Sequence, residues 1–207
     1  KYPGETVRTM AEQVIQQSLE DAGISTGDLQ AGFFSNTFWG MVDTQHSIRG
    51  QVVFRGLGID RIPVTNVENA CAGASTALHL AYTGIRAGMY DVAIAVGSEK
   101  LTNPDKAKSL SAYSSCMDVE NFDRQINLLL DYGKNLEVAL PQEESAPGAG
   151  RSVFMDVYAM MTRWHMSKYG TTQKQLAAIA PKNHFHSSLN PKAQYQNPMS
   201  IEDVLND

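Results

Sequence analysis

Val92-Ala93-Ile94-Ala95-Val96 is apolar at every position, and this run restricts the folds open to the chain more than any other stretch. A strand with one wet face alternates apolar and polar residues, whereas a continuous apolar run suits a parallel strand covered on both faces. Upstream, Val7, Met10, Ala11, Val14, Ile15 and Leu19 fall on one stripe of helical period between Thr6 and Ala22. Gly23 stands where a helix-ending glycine is expected. Gly32-Phe33-Phe34-Ser35-Asn36 predicts a strand, Gln45 to Leu57 a helix, Ile62 to Val67 a strand and Ala72 to Ala87 a helix. The order α, β, α, β, α, β predicts a layered α/β sheet built by right-handed crossovers.

The alternation stops after residue 101. Asn103-Pro104-Asp105, scattered polar residues and Pro147-Gly148-Ala149-Gly150 predict a long excursion of the lid or binding-insertion kind over 102–150. Helical period returns at Val153, Val157, Met160, Met161 and Trp164 and stops at Gly170. Thr172 and Gln175 form a capping box for a helix expected to end before Pro181, and His184 to Pro198 reads as irregular loop. The chain opens without methionine on a helix and closes just after Ser200-Ile201-Glu202-Asp203, a helix-start pattern, so both ends are expected to be cut.

Composition removes several function classes. Seventeen basic against 22 acidic side chains give a net charge of −5, which argues against a nucleic-acid partner. No apolar run approaches the roughly 20 residues of a membrane span, and a soluble, cytoplasmic protein is expected. Cys71 and Cys116 are the only cysteines. They are too sparse for a disulfide framework and lack zinc-site spacing, so both read as free thiols and no metal is expected.

Chemistry concentrates at Val67-Glu68-Asn69-Ala70-Cys71-Ala72-Gly73-Ala74-Ser75-Thr76-Ala77, where a cysteine falls between the end of a β run and the start of a helix. Free N–H groups and the positive end of the helix dipole favour thiolate over thiol there. The small residues that follow leave room for a substrate carbonyl. An inert buried cysteine is the alternative that spacing leaves open. His79 lies eight residues on, roughly 12 Å along a helix, too far to serve as its base. Gly73-Ala74-Ser75-Thr76-Ala77 approximates a serine-hydrolase elbow, but Ser75 falls inside the helix rather than at the turn. His184 and His186 have no third ligand nearby in sequence, and a solvated loop explains them better. Met155, Met160, Met161, Trp164 and Met166 suggest a plastic apolar surface or core packing. Arg151, Arg163, Lys168, Lys174, Lys182 and Lys192 face only Asp156 over residues 151–192, a cationic segment suited to a phosphorylated nucleotide tail or to simple solvation.

The Cys71 stretch, Ala87-Gly88-Met89-Tyr90-Asp91-Val92 and Ala95-Val96-Gly97-Ser98-Glu99-Lys100 together resemble the thiolase superfamily, most closely its lipid-transfer-protein or sterol-carrier type. The likeness continues through Phe154-Met155-Asp156-Val157-Tyr158-Ala159 and Lys182-Asn183-His184 to Asn190-Pro191. It implies a thiolase-like layered α/β fold of two similar βαβαβαββ halves. Residues 1–101 would be the amino-terminal half without its first strand, 102–207 a loop region over the active site, and the carboxyl-terminal half would be absent. It also implies that Cys71, at the amino end of a buried central helix, takes an acyl group from a CoA thioester, and that Met155 lies near the substrate. Coenzyme A is then substrate or product and no further cofactor is implied. The activating histidine, second cysteine and oxyanion hole would lie mainly in the other half, leaving this stretch alone poorly active. A homodimer is implied. Two alternatives remain. One is a thiolase-like aldolase on steroid side-chain CoA thioesters with an OB-fold, zinc-ribbon partner, a group that lacks the cysteine. The other is a non-catalytic acyl-CoA or lipid-binding module.

Overall fold

The computed structural model describes residues 2–105, 109, 111–132 and 153–206. The chain divides into two compact units, Lys1–Val119 and Glu120–Asp207.

The first unit is a parallel sheet sandwiched by helices. Its strands are β1 (Ala31–Ser35), β2 (Val64–Val67) and β3 (Ala93–Gly97), in the order β2-β1-β3. Phe33 of β1 lies opposite Thr65 on one side and Ala95 on the other. Helices α1 (Val7–Ala22) and α3 (Arg49–Gly56) cover one face, and α4 (Gly73–Arg86) covers the other. Every residue of β1 is buried, so the strand covered on both faces is the central one, Ala31–Ser35. In β3 only Ile94 and Val96 are buried, and among the described strands β3 has a neighbour on one side alone. The sequence assigned that full coverage to Val92–Val96.

Helix α1 begins at Thr6, whose hydroxyl accepts from the Thr9 N–H, and ends at Gly23 with φ 66°. Val7, Ala11, Ile15 and Leu19 are buried from its predicted stripe, while Val14 is exposed. They pack with Phe34, Val53, Phe54, Ile94 and Val96, each fully buried large side chain contributing about 1.5–3 kcal/mol. Gly32 permits this: a Cβ there would stand 2.7 Å from the Phe54 ring.

The helix expected over Gln45–Leu57 forms as α3, starting four residues later, and a short helix not expected from sequence, α2 (Trp39–Asp43), precedes it. Thr44 (φ 64°) and Ile48 (φ 49°) adopt left-handed backbone between α2 and α3 and hold back the start of α3, and the His46 side chain fills the space beside Gly40. Packing decides here against helical period.

The second unit contains α5 (Phe122–Asp131), α6 (Val153–Tyr169), α7 (Gln173–Ala177), α8 (Ile179–Ser188) and α9 (Ile201–Asn206). The segment expected as a long insertion thus carries helix at α5, after short turns at Tyr113–Cys116 and Val119–Asn121. Pro147-Gly148-Ala149-Gly150 lies outside the described residues. The Thr172–Gln175 capping box forms as expected. Helix α7 ends before Pro181, but α8 carries Pro181 in its first turn, where a missing N–H costs no intrahelical bond. His184 to Ser188 are therefore helical rather than loop. At the start of α9 the Ser200 N–H and hydroxyl both donate to Asp203 Oδ2, and those bonds hold the Asp203 carboxyl below its ordinary pKa. No helix among the described residues is long and apolar enough to cross a membrane.

Candidate active site at the carboxyl ends of the strands

Because the three strands are parallel, their carboxyl ends share one edge of the sheet, where α/β proteins place their ligands. There β1 runs into Asn36-Thr37-Phe38, β2 into Glu68-Asn69-Ala70-Cys71 and β3 into Ser98-Glu99. Between these loops opens a cavity of about 340 Å³. Ser35, Asn36, Thr37 and Phe38 line it from β1, Ala70, Cys71 and Ala74 from the start of α4, and Gly97, Ser98 and Glu99 from β3. Leu101 and Tyr113 complete the described wall, with the Tyr113 ring edge-on to Phe38 at 5.5 Å.

Cys71 is exposed, in a single 3-10 turn, Ala70–Ala72, that leads into α4. The helix sits low on the sheet because its inner face is small: Gly73, Ala77, Ala81 and Gly84 are buried. A Cβ at Gly73 would come within 2.1 Å of Ser35 Oγ, so with the Ser35 hydroxyl in this place the approach at the end of β1 needs glycine. The outer face, with Leu78 and Tyr82, is exposed.

The residue before the cysteine is strained. Ala70 has φ 43°, left-handed backbone that costs an alanine roughly 1–2 kcal/mol. Side chains hold both of its peptide groups. The Ala70 N–H donates to Glu68 Oε1 at 2.6 Å, and its carbonyl accepts from Thr37 Oγ1 at 3.2 Å. Thr76 Oγ1 donates to the Ala72 carbonyl and accepts from Asn69 Nδ2, both at 2.9 Å.

The β1 loop is fixed in turn by β3. Glu99 accepts from the N–H groups of Thr37 (2.8 Å) and Phe38 (3.1 Å) and from Asn36 Nδ2 (3.0 Å). Asn36, only 3% exposed, also donates to the Ser98 carbonyl. Its Oδ1 accepts from the Trp39 N–H and from Arg49 Nη1.

Cys116 lies half-buried against Phe38, Val42 and Ala112. Burial pushes its thiol pKa up first. The negative charges of Cys71, Glu68 and Glu99 add to the rise, and a Ser115 hydrogen bond works against it.

The other candidates are dispersed. His79 is exposed on α4 and does not line the cavity; nor does Ser75, which sits past the turn inside α4. No histidine is among the described lining residues. Met155 is exposed on α6 in the second unit. His184 Nδ1 lies 3.0 Å from the Asn197 carbonyl oxygen. Of the cationic segment, Lys168 is engaged over the Trp164 ring at 4.6 Å, and Arg151 lies outside the described residues. Glu68, Thr37, Asn36 and Glu99 were not singled out from sequence. The available signal was their place: Asn36 closes a predicted strand, and Thr37, Glu68 and Glu99 fall within three residues past the end of one.

The family model described as "Thiolase, N-terminal domain" matches residues 3–205. An acetyl-CoA acetyltransferase of Methanothermobacter thermautotrophicus is 32% identical over 96% of this chain and 45% of its own length. Sterol carrier protein 2 of Gallus gallus is 30% identical over 95% of the chain and 32% of its own length. A benzoylsuccinyl-CoA thiolase subunit of Thauera aromatica is 31% identical over 79% of the chain and 35% of its own. The chain thus spans less than half the length of each. A match from residue 3 to residue 205 takes in the whole described sheet and the Cys71 turn with it, and the chain therefore belongs to the thiolase superfamily, within its amino-terminal domain.

Proposed function

We propose that this chain supplies the nucleophile of an acyl-CoA acyltransferase, and that Cys71 is that nucleophile. The observation that carries the reading is the exposed Cys71 sulfur at the mouth of a cavity at the strand carboxyl ends, on the turn that starts α4. Superfamily membership and the acetyl-CoA acetyltransferase relative support it.

In the first step the Cys71 thiolate attacks the thioester carbonyl carbon. The tetrahedral oxyanion collapses, the carbon–sulfur bond to CoA breaks, and CoA leaves as thiolate from an acyl-cysteine. In the synthetic direction an α-carbanion of a second acyl-CoA attacks the acyl-cysteine, releasing 3-ketoacyl-CoA and the Cys71 thiolate; cleavage is the reverse. Backbone N–H groups at the helix start and polar side chains would stabilise the oxyanion. The base, with a second cysteine, is assigned to the part of the relatives' length that this chain does not span. The reading extends to residues 102–207 as a substrate-binding region containing Met155, to the CoA phosphates as partners of Arg163, Lys174 and Lys182, and to a homodimer.

The test is Cys71→Ser in the full-length protein. Acyl transfer should fall by at least about 10³-fold, the scale of losing an attacking group, and the acylated cysteine peptide should vanish from mass spectra. Full activity in Cys71→Ser would overturn the reading. The sterol carrier protein relatives favour a second reading, a lipid or acyl-CoA binding module. It predicts thioester binding with no covalent adduct on the wild-type chain.

A further inference from the structure

We infer that Glu68 and Thr37 are positioning residues for Cys71, acting through the strained peptide groups of Ala70. The inference rests on the reading of Cys71 as the reacting group, but its own test does not require acyl transfer.

Left-handed backbone at an alanine persists only where its surroundings hold it. At Ala70 (φ 43°) the holding groups are two side chains. Glu68 accepts the Ala70 N–H at 2.6 Å, and Thr37 donates to the Ala70 carbonyl at 3.2 Å. Thr37 Oγ1 also lies 3.4 Å from Glu68 Oε1, so the two sides of the clamp meet. The Thr37 N–H is anchored on Glu99 at 2.8 Å, which makes the clamp span loops from all three strands. Cys71 follows Ala70 directly, so the Ala70 torsion sets where the sulfur enters the cavity. Release of the clamp lets Ala70 relax to right-handed or extended backbone and swings Cys71 out of register with the cavity wall.

A carboxylate three residues before a cysteine could instead act through its charge, and the two roles would differ in sign. Removing a nearby negative charge favours the thiolate, so a role through charge alone predicts faster alkylation in both Glu68→Ala and Glu68→Gln. Positioning predicts that Glu68→Gln, whose amide oxygen still accepts the Ala70 N–H, is not slowed, while Glu68→Ala is.

The experiment measures the rate of Cys71 carbamidomethylation by iodoacetamide, by peptide mass spectrometry over a range of pH, in the full-length protein. The variants are Glu68→Ala, Glu68→Gln, Thr37→Val, Ala70→Gly and the double variant Glu68→Ala/Ala70→Gly. Acyl-transfer kcat and KM are read in parallel. Glu68 is exposed and is expected to be replaceable without loss of fold, which thermal unfolding checks. Glu68→Ala and Thr37→Val should slow the labelling plateau and kcat by about tenfold, with KM unchanged. Ala70→Gly should recover part of the Glu68→Ala loss, since glycine adopts φ near 43° without the steric cost that an alanine needs the clamp to offset. Glu68→Ala labelling as fast as wild type, or a double variant no better than Glu68→Ala, would overturn the inference. Alkylation that follows these expectations in a protein with no acyl transfer would leave the positioning role standing and remove only the acyltransferase reading.

Discussion

At Cys116 the sulfur is packed beside Phe38 and Val42 with Cys71, Glu68 and Glu99 close enough to oppose a further negative charge, and its pKa is raised accordingly. A raised pKa leaves less thiolate at neutral pH, and Cys116 gains reactivity only as pH climbs past the ordinary thiol range. Cys71 is exposed at the cavity. Iodoacetamide at neutral pH should therefore label Cys71 first, with Cys116 catching up as the solution is made alkaline; equal rates at neutral pH would count against the site. In Cys71→Ser one of the neighbouring charges is gone, and the Cys116 labelling profile should move toward lower pH. Sequence identified Cys71 through its place between a β run and a helix and through the resemblance, but gave no hint that Cys116, 45 positions away, shares its electrostatic surroundings. The strain at Ala70 was equally hidden, since an alanine, unlike a glycine, does not announce left-handed backbone.

Helix α4 depends on how closely it can approach the end of β1. In an unconstrained helix Gly→Ala is stabilising by up to about 1 kcal/mol. At Gly73 the new Cβ would sit 2.1 Å from Ser35 Oγ but 3.5 Å from Ser35 Cβ. Gly73→Ala should thus destabilise, by about 1–3 kcal/mol, and Ser35→Ala in the same chain should recover most of the loss. Denaturant unfolding of the two single variants and the pair measures this, and a stabilised Gly73→Ala would refute the close-approach argument. At this scale α1, α4, β1 and the capping boxes were legible because each follows local period or local hydrogen bonding. Arg49–Gly56 was legible within the expected Gln45–Leu57 helix, but Trp39–Asp43 and the late start at Arg49 were not, because the left-handed backbone at Thr44 and Ile48 sits in packing around His46 and Gly40. The helix over His184–Ser188 was missed for a related reason: a proline ends one helix or opens the next, and at Pro181 it stands in the first turn of a new one.

In the first unit β1 lies between β2 and β3 and is buried along its whole length, so its ladder opens only when the sheet does. Amide hydrogen exchange should be slowest at Gly32, Phe33 and Phe34 and faster in β2 and β3, which each have one unpaired edge among the described strands. Faster exchange in β1 than in β3 would contradict the strand order. The sequence by itself determined the alternation of elements, the parallel sheet that follows from it, and the place of Cys71 between a strand and a helix, because these depend on period and on neighbours in the chain. Tertiary structure alone decided that β1 and not β3 is the central strand, and that Glu99 grips the loop after β1. It also decided that Thr37 reaches the carbonyl before Cys71. Those contacts join residues some 30 to 60 positions apart, and no local rule fixes which strand ends up beside which.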